Sequence, residues 1–471
     1  MVFSSVPFLF FFLPVILFLY WILQKNMARN ILLLLASLLF YAWGEPIYIV
    51  LLIVSVLCNW LLSLGMVRFS QKERLFLTIG VLLNISLLVV YKYSGFLVET
   101  VNVVLNLDLP VPQIRLPIGI SFFTFQALSY VIDVYRNREN VQKNVFSLLL
   151  YISFFPQLIA GPIVKYNDIS QQLACRSFHM DDFASGIKRF TYGLAKKVIL
   201  SNSLAVLVDT VFAAAPTTFS AAMAWVCALS YMLQIYFDFS GYSDMAIGLG
   251  RIFGFTFKEN FCYPYASLGI KDFWRRWHIS LSTWFKEYLY IPLGGNRKGK
   301  HRALCNQLIV FATTGLWHGA NITFLVWGLF HGLFLVLESS QLIPTSRMCR
   351  NWAGKILLRA YTWLVVLLGF VLFRADSMSY AISYFRTMFL GGGITSSALL
   401  SKLSPWFWLV FAVSVVCSFP FTQMLRTKLQ ASERGNRVYN VASYGFSILL
   451  LLICMGALAA ATYNPFIYFR F

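Results

Sequence analysis

Long apolar runs, many of them close to twenty residues in length, recur along the chain and constrain its fold more than any other feature. A helix needs about 20 apolar residues to cross the hydrocarbon of a bilayer. Of the 471 residues, 59% are hydrophobic and only 12% are charged, about half the charged fraction of an ordinary soluble protein. Because segments in lipid must satisfy their own backbone hydrogen bonds, the runs predict an all-α polytopic membrane protein.

Basic residues are concentrated between the apolar runs. The formal net charge is +20, and basic clusters occur at 25–29, 68–74, 297–302, 347–355 and 426–437. Since basic loops stay in the cytoplasm, this pattern predicts that all five clusters are cytoplasmic and that the N-terminus lies outside. No basic and aromatic RNA-binding motif accompanies the charge, so nucleic acid is excluded as a partner.

The number of runs predicts roughly eleven transmembrane helices, with re-entrant and interfacial segments between them. The opening runs lie at 6–23, 30–44, 46–66 and 75–91. The first run lacks a basic start and a small-residue cleavage site, so we expect a retained span and not a signal peptide. Residues 92–115 are expected to form an extracytoplasmic loop, and the ending YNPFIYFRF is expected to lie outside.

The segment 311–332, FATTGLWHGANITFLVWGLFHG, is apolar enough for a bilayer yet contains His318 and His331. Ionisable side chains are costly at membrane depth, so such a histidine is a candidate functional residue, with plain packing as the alternative. Neutral imidazole can act as a base without carrying charge. Gly319 is predicted to end one helix and Asn321 to cap the next, which puts His318 at a break that can line a cavity.

A second segment, Lys271 to Tyr290, reads KDFWRRWHISLSTWFKEYLY. Its large apolar residues recur at spacings of three and four, which places them on one helix face: Trp274, Trp277, Leu281, Trp284 and Tyr288. The pattern predicts one amphipathic helix at the membrane interface, with aromatic rings in the headgroup region. His278 lies beside this face, and the functional alternative is that the helix caps a cavity and offers His278 to it.

Two carboxylates, Asp238 and Asp244, lie inside the apolar region 219–256. Acids in such a position act as proton-relay groups or, as we expect here, form bonded pairs that brace a polar interior. No H-E-x-x-H, G-x-S-x-G or P-loop motif occurs, and the eight cysteines include no C-x-x-C pair, so no metal site is predicted. From the residues alone, a transporter with a histidine and Asp238 relay remains open.

Two segments together resemble the membrane-bound O-acyltransferase (MBOAT) family: FWRRWHISLSTWFKEYLYIPLGG and TGLWHGANITFLVWGLFHG. The opening residues, the segment QIYFDFSGYSDMAIGLG and the ending resemble its bacterial alginate O-acetyltransferase (AlgI-type) branch. The resemblance covers the whole chain and implies one integral-membrane domain over 1–471, built as a ring of helices around a central cavity. Within it, 1–115 would be N-terminal spans and 258–340 the catalytic region.

By this resemblance, His318 matches the central catalytic histidine of the family and His278 matches its second site residue. The candidates for substrate binding are the polar and aromatic residues near these motifs: Trp274, Arg275, Trp317, Asn321, His331 and Asp238. No bound cofactor or metal is implied, and the donor would be acetyl-coenzyme A or another acyl thioester on the cytoplasmic side.

The resemblance also implies a function and partners. An acetyl group would cross the inner membrane of a bacterium for O-acetylation of an exported polysaccharide of the alginate, cellulose or peptidoglycan type. D-alanyl or other acyl transfer is the alternative within the family. Besides the lipid bilayer and the polysaccharide acceptor, an extracytoplasmic acetyltransferase is the expected partner protein.

Overall fold

A computed structural model describes residues 1–460 and residue 467, and every regular element in this part of the chain is a helix. The chain forms two compact units, one of Met1–Phe190 with Ser243–Lys258 and one of Thr191–Tyr242 with Glu259–Phe471. The ending YNPFIYFRF, which is expected to be extracytoplasmic, lies outside the described residues apart from Ile467. The expectation of one domain over 1–471 stays a prediction.

Seven helices among the described residues are long and apolar enough to cross a membrane: Asn26–Gly44, Tyr48–Arg68, Ser70–Leu105, Ala221–Ile252, Ile322–Ser339, Trp352–Arg374 and Glu433–Ala460. The pair Pro405–Cys417 and Phe421–Gln430, bent by 59°, gives an eighth if it forms one span. The prediction of an all-α polytopic membrane protein is therefore confirmed. Other runs counted in the sequence form shorter helices, including Phe8–Ile22, Ile120–Arg136, Val145–Ser153, Asn202–Ala213 and Lys300–His318.

The first unit packs around aromatic side chains from its N-terminal helices. The rings of Phe8 and Phe12 lie 6.3 and 5.4 Å from that of Phe155. On two spans of this unit, Asn84 donates a hydrogen bond of 2.7 Å to Asn59, and both side chains are fully buried. Amide pairs of this kind join helices where lipid offers no alternative partner.

The loop predicted over 92–115 is wrong in its first half. The helix that begins at Glu73 continues through a π-helical turn, Val89–Tyr93, into the helix Ser94–Leu105, and ends at Asn106 in the left-handed conformation (φ 51°). The segment SGFLVETVNVVL contains a single charged residue, so its apolar character extends the helix. Irregular chain is confined to the residues between Asn106 and the helix that begins at Ile120.

The second unit carries all the candidate site residues. The helix Ala221–Ile252 contributes its residues up to Tyr242 to this unit and its last turns to the first unit. Its buried rings pack against those of other elements; Tyr231, for example, lies 6.3 Å from Phe370 of the helix Trp352–Arg374. We call the helices Lys300–His318 and Ile322–Ser339 the His318 helix and the His331 helix.

The single interfacial helix predicted over 271–290 is wrong. The structure has two seven-residue helices, Ile270–Arg276 and Ile279–Phe285, followed by a π-helical turn, Lys286–Tyr290. The break falls at Trp277 and His278, because His278 adopts left-handed backbone angles (φ 44°, ψ 54°). The aromatic residues of the predicted face are all at most 8% exposed, so they pack inside the protein and do not lie in the headgroup region.

Candidate active site

The turn after His318 has the predicted residues at the predicted places. Asn321 caps the His331 helix by accepting a hydrogen bond of 3.0 Å from the Thr323 N–H, as expected. Gly319 follows the end of the His318 helix but is extended (φ −166°), not left-handed. A Cβ atom on Gly319 would overlap the ring of Phe324, so glycine is required here for close approach and not for its backbone angles.

Two further glycines bring the His318 and His331 helices into backbone contact just before that turn. A Cβ atom on Gly328 would lie 3.1 Å from the Cα of Gly315 and would overlap the carbonyl oxygen of Phe311. A Cβ atom on Gly315 would overlap the carbonyl oxygen of Phe324. Small residues allow such an approach between membrane helices, and here it sets the spacing of the two helices that carry His318 and His331.

His318 lies in aromatic surroundings and is only 8% exposed. Its ring is 4.9 Å from that of Trp317, 5.1 Å from that of Trp327 and 5.2 Å from that of Phe373. Apolar walls of this kind keep bulk water away, which strengthens any electrostatic interaction formed at the imidazole.

His278 is fully buried, and its neighbours define which ring nitrogen carries the proton. The Asn260 side-chain oxygen accepts a hydrogen bond of 3.1 Å from the Ser280 N–H, and His278 Nδ1 lies 3.3 Å from the same oxygen. Because that atom is an acceptor, Nδ1 is the donor, and neutral His278 keeps its lone pair on Nε2. Among the described residues Nε2 has no hydrogen-bond partner.

Burial also determines the charge of His278. Loss of solvent lowers its pKa to about 3, because a buried imidazolium is poorly solvated. At neutral pH the ring is therefore uncharged, held through Nδ1, and able to accept a hydrogen bond or proton at Nε2. The ring of Phe239, 4.7 Å away and perpendicular, covers it on another side.

The three histidines belong to one cluster linked by two tryptophans. Trp317 connects His278, at 6.2 Å, with His318. Trp327 connects His318 with His331, at 5.3 Å, and His331 lies 5.3 Å from Trp274. These residues are called the histidine–tryptophan cluster: Trp274, His278, Trp317, His318, Trp327 and His331.

Two cavities lie beside this cluster. The Lys271 cavity, about 230 Å³, has basic residues and apolar rings in its wall: Lys271, Trp274, Arg275, Leu281, Ser282, Phe285, Lys286, Tyr290, Gln307, Val310, Phe311, Thr314, Leu335 and Ser339. The Asn321 cavity, about 300 Å³, is lined by Gly319, Ala320, Asn321, Phe324, Phe373, Arg374, Ala375 and Asp376. Trp274, Arg275 and Asn321 thus line cavities, and their role in substrate binding stays a prediction.

The two cavities lie at different positions along the His318 helix and the His331 helix. On the His331 helix, Phe324 faces one cavity and Leu335 the other; eleven residues of helix span about 16 Å. The cluster occupies the interval, because Trp274 in the wall of the Lys271 cavity lies 5.7 Å from Trp327, which contacts His318. His278, His318, His331 and Trp317 are in the wall of neither cavity; His318 is next to the Asn321 cavity through Phe373, which lines that cavity and packs against its ring.

The carboxylate of Asp238 is held, among the described residues, by one ion pair and two hydrogen bonds. It is 1% exposed, is ion-paired with buried Lys197, and accepts hydrogen bonds from Ser201 Oγ at 3.2 Å and from the Ile467 N–H at 3.0 Å. In the first unit Asp244 is bonded to Arg189 at 2.7 Å. Both acids are therefore in bonded pairs, as expected, and Asp238 lines neither of the two cavities.

Several residues of this site were not singled out in the sequence. Asn260 precedes His278 by eighteen positions in a segment without a motif. Phe373, which touches His318, lies in the last turn of the apolar helix Trp352–Arg374, which has no motif of its own. Trp327 lies four residues before His331 on the same helix, a spacing that could have placed it beside that histidine. Within the described chain, no group of three or more histidine, cysteine or acidic residues could hold a metal ion.

The fold and the cluster define a multi-pass membrane protein with a buried histidine site between two cavities. The model of the membrane-bound O-acyltransferase (MBOAT) family matches residues 49–379. The chain belongs to this family, and the prediction of an acyltransferase is confirmed. The alternative of a transporter with a histidine and aspartate relay is set aside.

Relatives with related names extend along the chain. The probable alginate O-acetylase AlgI of Pseudomonas putida is 39% identical over 498 residues, which cover 100% of both chains. The peptidoglycan O-acetyltransferase of Helicobacter pylori is 38% identical over 86% of this chain and 82% of its own. The teichoic acid D-alanyltransferase of Bacillus subtilis is 29% identical over 46% of this chain and 58% of its own. The resemblance to the AlgI-type branch is thereby confirmed.

Proposed function

We propose that this protein takes an acetyl group from a cytoplasmic thioester, acetyl-coenzyme A or another acyl thioester, and delivers it across a bacterial inner membrane for O-acetylation of an exported polysaccharide. The observation that carries the proposal is the position of His318 and its cluster between two cavities. A donor in the Lys271 cavity and an acceptor in the Asn321 cavity would approach the same buried histidine from different ends.

His318 acts as the general base in this reaction. It takes the proton of the acceptor hydroxyl as the oxygen attacks the thioester carbonyl carbon; the new C–O bond forms, the C–S bond breaks, and the proton passes to the departing thiolate. A thioester is already activated, so no covalent enzyme intermediate is needed. A base of this kind contributes about 10²- to 10⁴-fold in rate.

His278 has a supporting role, through its lone pair at Nε2. The rings of His278 and His318 both pack against the ring of Trp317. His278 would hold a water molecule beside the reaction at Nε2, at an orientation fixed by Asn260. His331 packs between Trp274 and Trp327 and keeps their rings in place.

Basic residues at the Lys271 cavity support its assignment as the donor site. Lys271, Arg275 and Lys286 are exposed at the wall of the Lys271 cavity, with Trp274 and Phe285 between them. Basic side chains bind phosphate and aromatic faces pack against apolar or planar groups, and thioester donors of the coenzyme A type carry both. The basic cluster at 297–302, which precedes the His318 helix, supports a cytoplasmic position for this end by the positive-inside pattern.

The acceptor end calls for a partner. The Asn321 cavity has about 300 Å³, which accommodates one small group and not a polymer. An extracytoplasmic acetyltransferase would therefore hold the polysaccharide, or carry the acetyl group onward, at the rim formed by Gly319 to Ile322 and the segment 375–404. Transfer of a D-alanyl group is the second candidate, favoured only by the partial similarity to the teichoic acid enzyme.

Reconstitution in vesicles tests the proposal. Vesicles holding this chain would enclose acetyl-labelled coenzyme A, with polysaccharide outside, either alone or with the extracytoplasmic transferase. We expect label on the polymer only when the transferase is present. Polymer acetylation by this chain alone would remove the partner from the scheme, and failure to consume acetyl-coenzyme A, while a D-alanyl thioester is consumed, would replace the acetyl donor.

A further inference from the structure

Glu338, near the end of the His331 helix, is a buried carboxylate that the chemistry above does not use. It is 5% exposed, and its hydrogen-bond partners among the described residues are neutral donors. A carboxylate away from water is costly unless several donors compensate it. Its position in an apolar helix therefore requires a structural explanation beyond packing.

The donors come mainly from the start of another helix. Oε1 of Glu338 accepts a hydrogen bond of 2.6 Å from the Ile270 N–H, and Oε2 accepts one of 2.9 Å from the Lys271 N–H. The Tyr361 hydroxyl donates a third, at 3.1 Å. The first amides of a helix have no partner within it, and Gly269, which precedes the helix Ile270–Arg276, has no side chain to cap them.

Gly269 makes room for this contact. Its φ of 134° is a conformation that other residues rarely adopt, and a Cβ atom there would lie 3.1 Å from Oε1 and 3.3 Å from Oε2 of Glu338. Glu338 thus acts as the cap of a helix in a different part of the chain, and Gly269 permits the approach. The carboxylate charge also complements the positive end of the helix.

The two elements joined in this way are two walls of one cavity. Lys271, Trp274 and Arg275, on the capped helix, line the Lys271 cavity, and so do Leu335 and Ser339, which flank Glu338 on the His331 helix. Glu338 itself is not in the cavity wall. We infer that Glu338 is a positioning residue that fixes the capped helix against the His331 helix and thereby sets the shape of the donor site.

This inference rests on the proposed function, because it assigns the Lys271 cavity to the thioester donor. Replacement of Glu338 by Gln removes the charge and turns an NH₂ group toward one of the two backbone amides. The capped helix then loses its fixed distance from the His331 helix. The KM for acetyl-coenzyme A should rise about tenfold, the effect of one lost charge-assisted hydrogen bond, while kcat changes less than about twofold and the KM for the acceptor is unchanged.

The experiment compares Glu338→Gln, Gly269→Ala and the double variant with the parent protein in lipid nanodiscs, together with the exposed control Glu433→Gln. We measure initial rates over a range of acetyl-coenzyme A and the increase in melting temperature that coenzyme A alone produces. If the two residues form one device, each single variant shows the raised KM and a reduced increase in melting temperature, the double variant is no worse than the poorer single one, and the control matches the parent.

Two results would overturn the inference by itself: an unchanged KM with a lower melting temperature, which makes Glu338 only a stabilising residue, or equal losses in kcat and acceptor KM. The proposed function fails separately if the parent protein neither consumes acetyl-coenzyme A nor is stabilised by coenzyme A, and the assignment of Glu338 to a donor site then fails with it.

Discussion

Gly328 allows a direct test of the helix contact that supports the site. In Gly328→Ala the new methyl group would overlap the Phe311 carbonyl oxygen and lie 3.1 Å from both the Cα and the N of Gly315. All three atoms are backbone, so no side chain can rotate away and the two helices must separate. Overpacking of this kind lowers the free energy of unfolding by about 1–3 kcal/mol. The higher helix propensity of alanine raises it by up to about 1 kcal/mol. Because the overlapped atoms are backbone, the cost of overpacking lies near the upper end of its range, and the expected net loss is about 2 kcal/mol.

The same substitution elsewhere provides a graded control. At Gly332 the nearest atoms to a new Cβ are side-chain and Cα atoms 3.1–3.7 Å away, and at Gly445 nothing lies within 4 Å. The melting temperature in detergent should fall for Gly328→Ala, change little for Gly332→Ala and stay level or rise for Gly445→Ala. Acetyl transfer should fall only for Gly328→Ala, because His318 lies one turn beyond Gly315. A Gly328→Ala protein with parental melting temperature and activity would refute the close approach of the helices.

Three further predictions concern buried polar groups. Asn260→Leu should reduce acetyl transfer about tenfold, because His278 loses the acceptor that fixes its tautomer. Asn260→Asp should raise the pKa of His278 from about 3 through the new negative charge, and should add an acidic limb to the pH–rate profile. Parental rates and pH–rate profiles in both variants would contradict the assignment. The pKa of His278 in the folded protein is below the ordinary value near 6.5, so between these values the unfolded chain binds a proton that the folded chain does not. The stability of the fold should therefore decrease as pH drops from about 6.5 toward 3, and it should decrease less steeply in His278→Gln. Identical slopes of melting temperature against pH in the two proteins would contradict this. Asp238→Asn removes the carboxylate that is ion-paired with buried Lys197 and should cost about 3–5 kcal/mol. The melting temperature and the yield should both fall, and no change in either would show that the pair does not stabilise the fold.

Much of the fold followed from local pattern, because apolar runs and capping residues act over a few positions. The spans and the cap at Asn321 depend on such short-range signals, and the structure has them. The mixed charge and the two prolines of 92–115 predict a loop, but Pro110 and Pro112 follow the helix that ends at Leu105 and do not interrupt it.

The site was less accessible to this reasoning because its geometry depends on distant contacts. The apolar residues of 271–290 keep a spacing of three and four on both sides of His278, so the pattern predicts one helix. No neighbouring residue in the sequence predicts the left-handed backbone angles of His278. The same pattern identifies an apolar face without identifying what covers it, which is protein and not lipid headgroups. Asn260 and Glu338 act on residues 18 and 68 positions away, distances at which a single sequence carries no signal.

The central claim is that His318 is the base that transfers the acetyl group, and a pair of histidine variants on one helix tests it. His301, exposed in the first turn of the His318 helix, is the matched control. In nanodiscs, the rate of acetyl transfer from acetyl-coenzyme A in a single turnover should fall about 10²- to 10⁴-fold in His318→Ala, with unchanged binding of coenzyme A, and should be unchanged in His301→Ala. A His318→Ala protein that transfers acetyl within about tenfold of the parent rate would contradict the account.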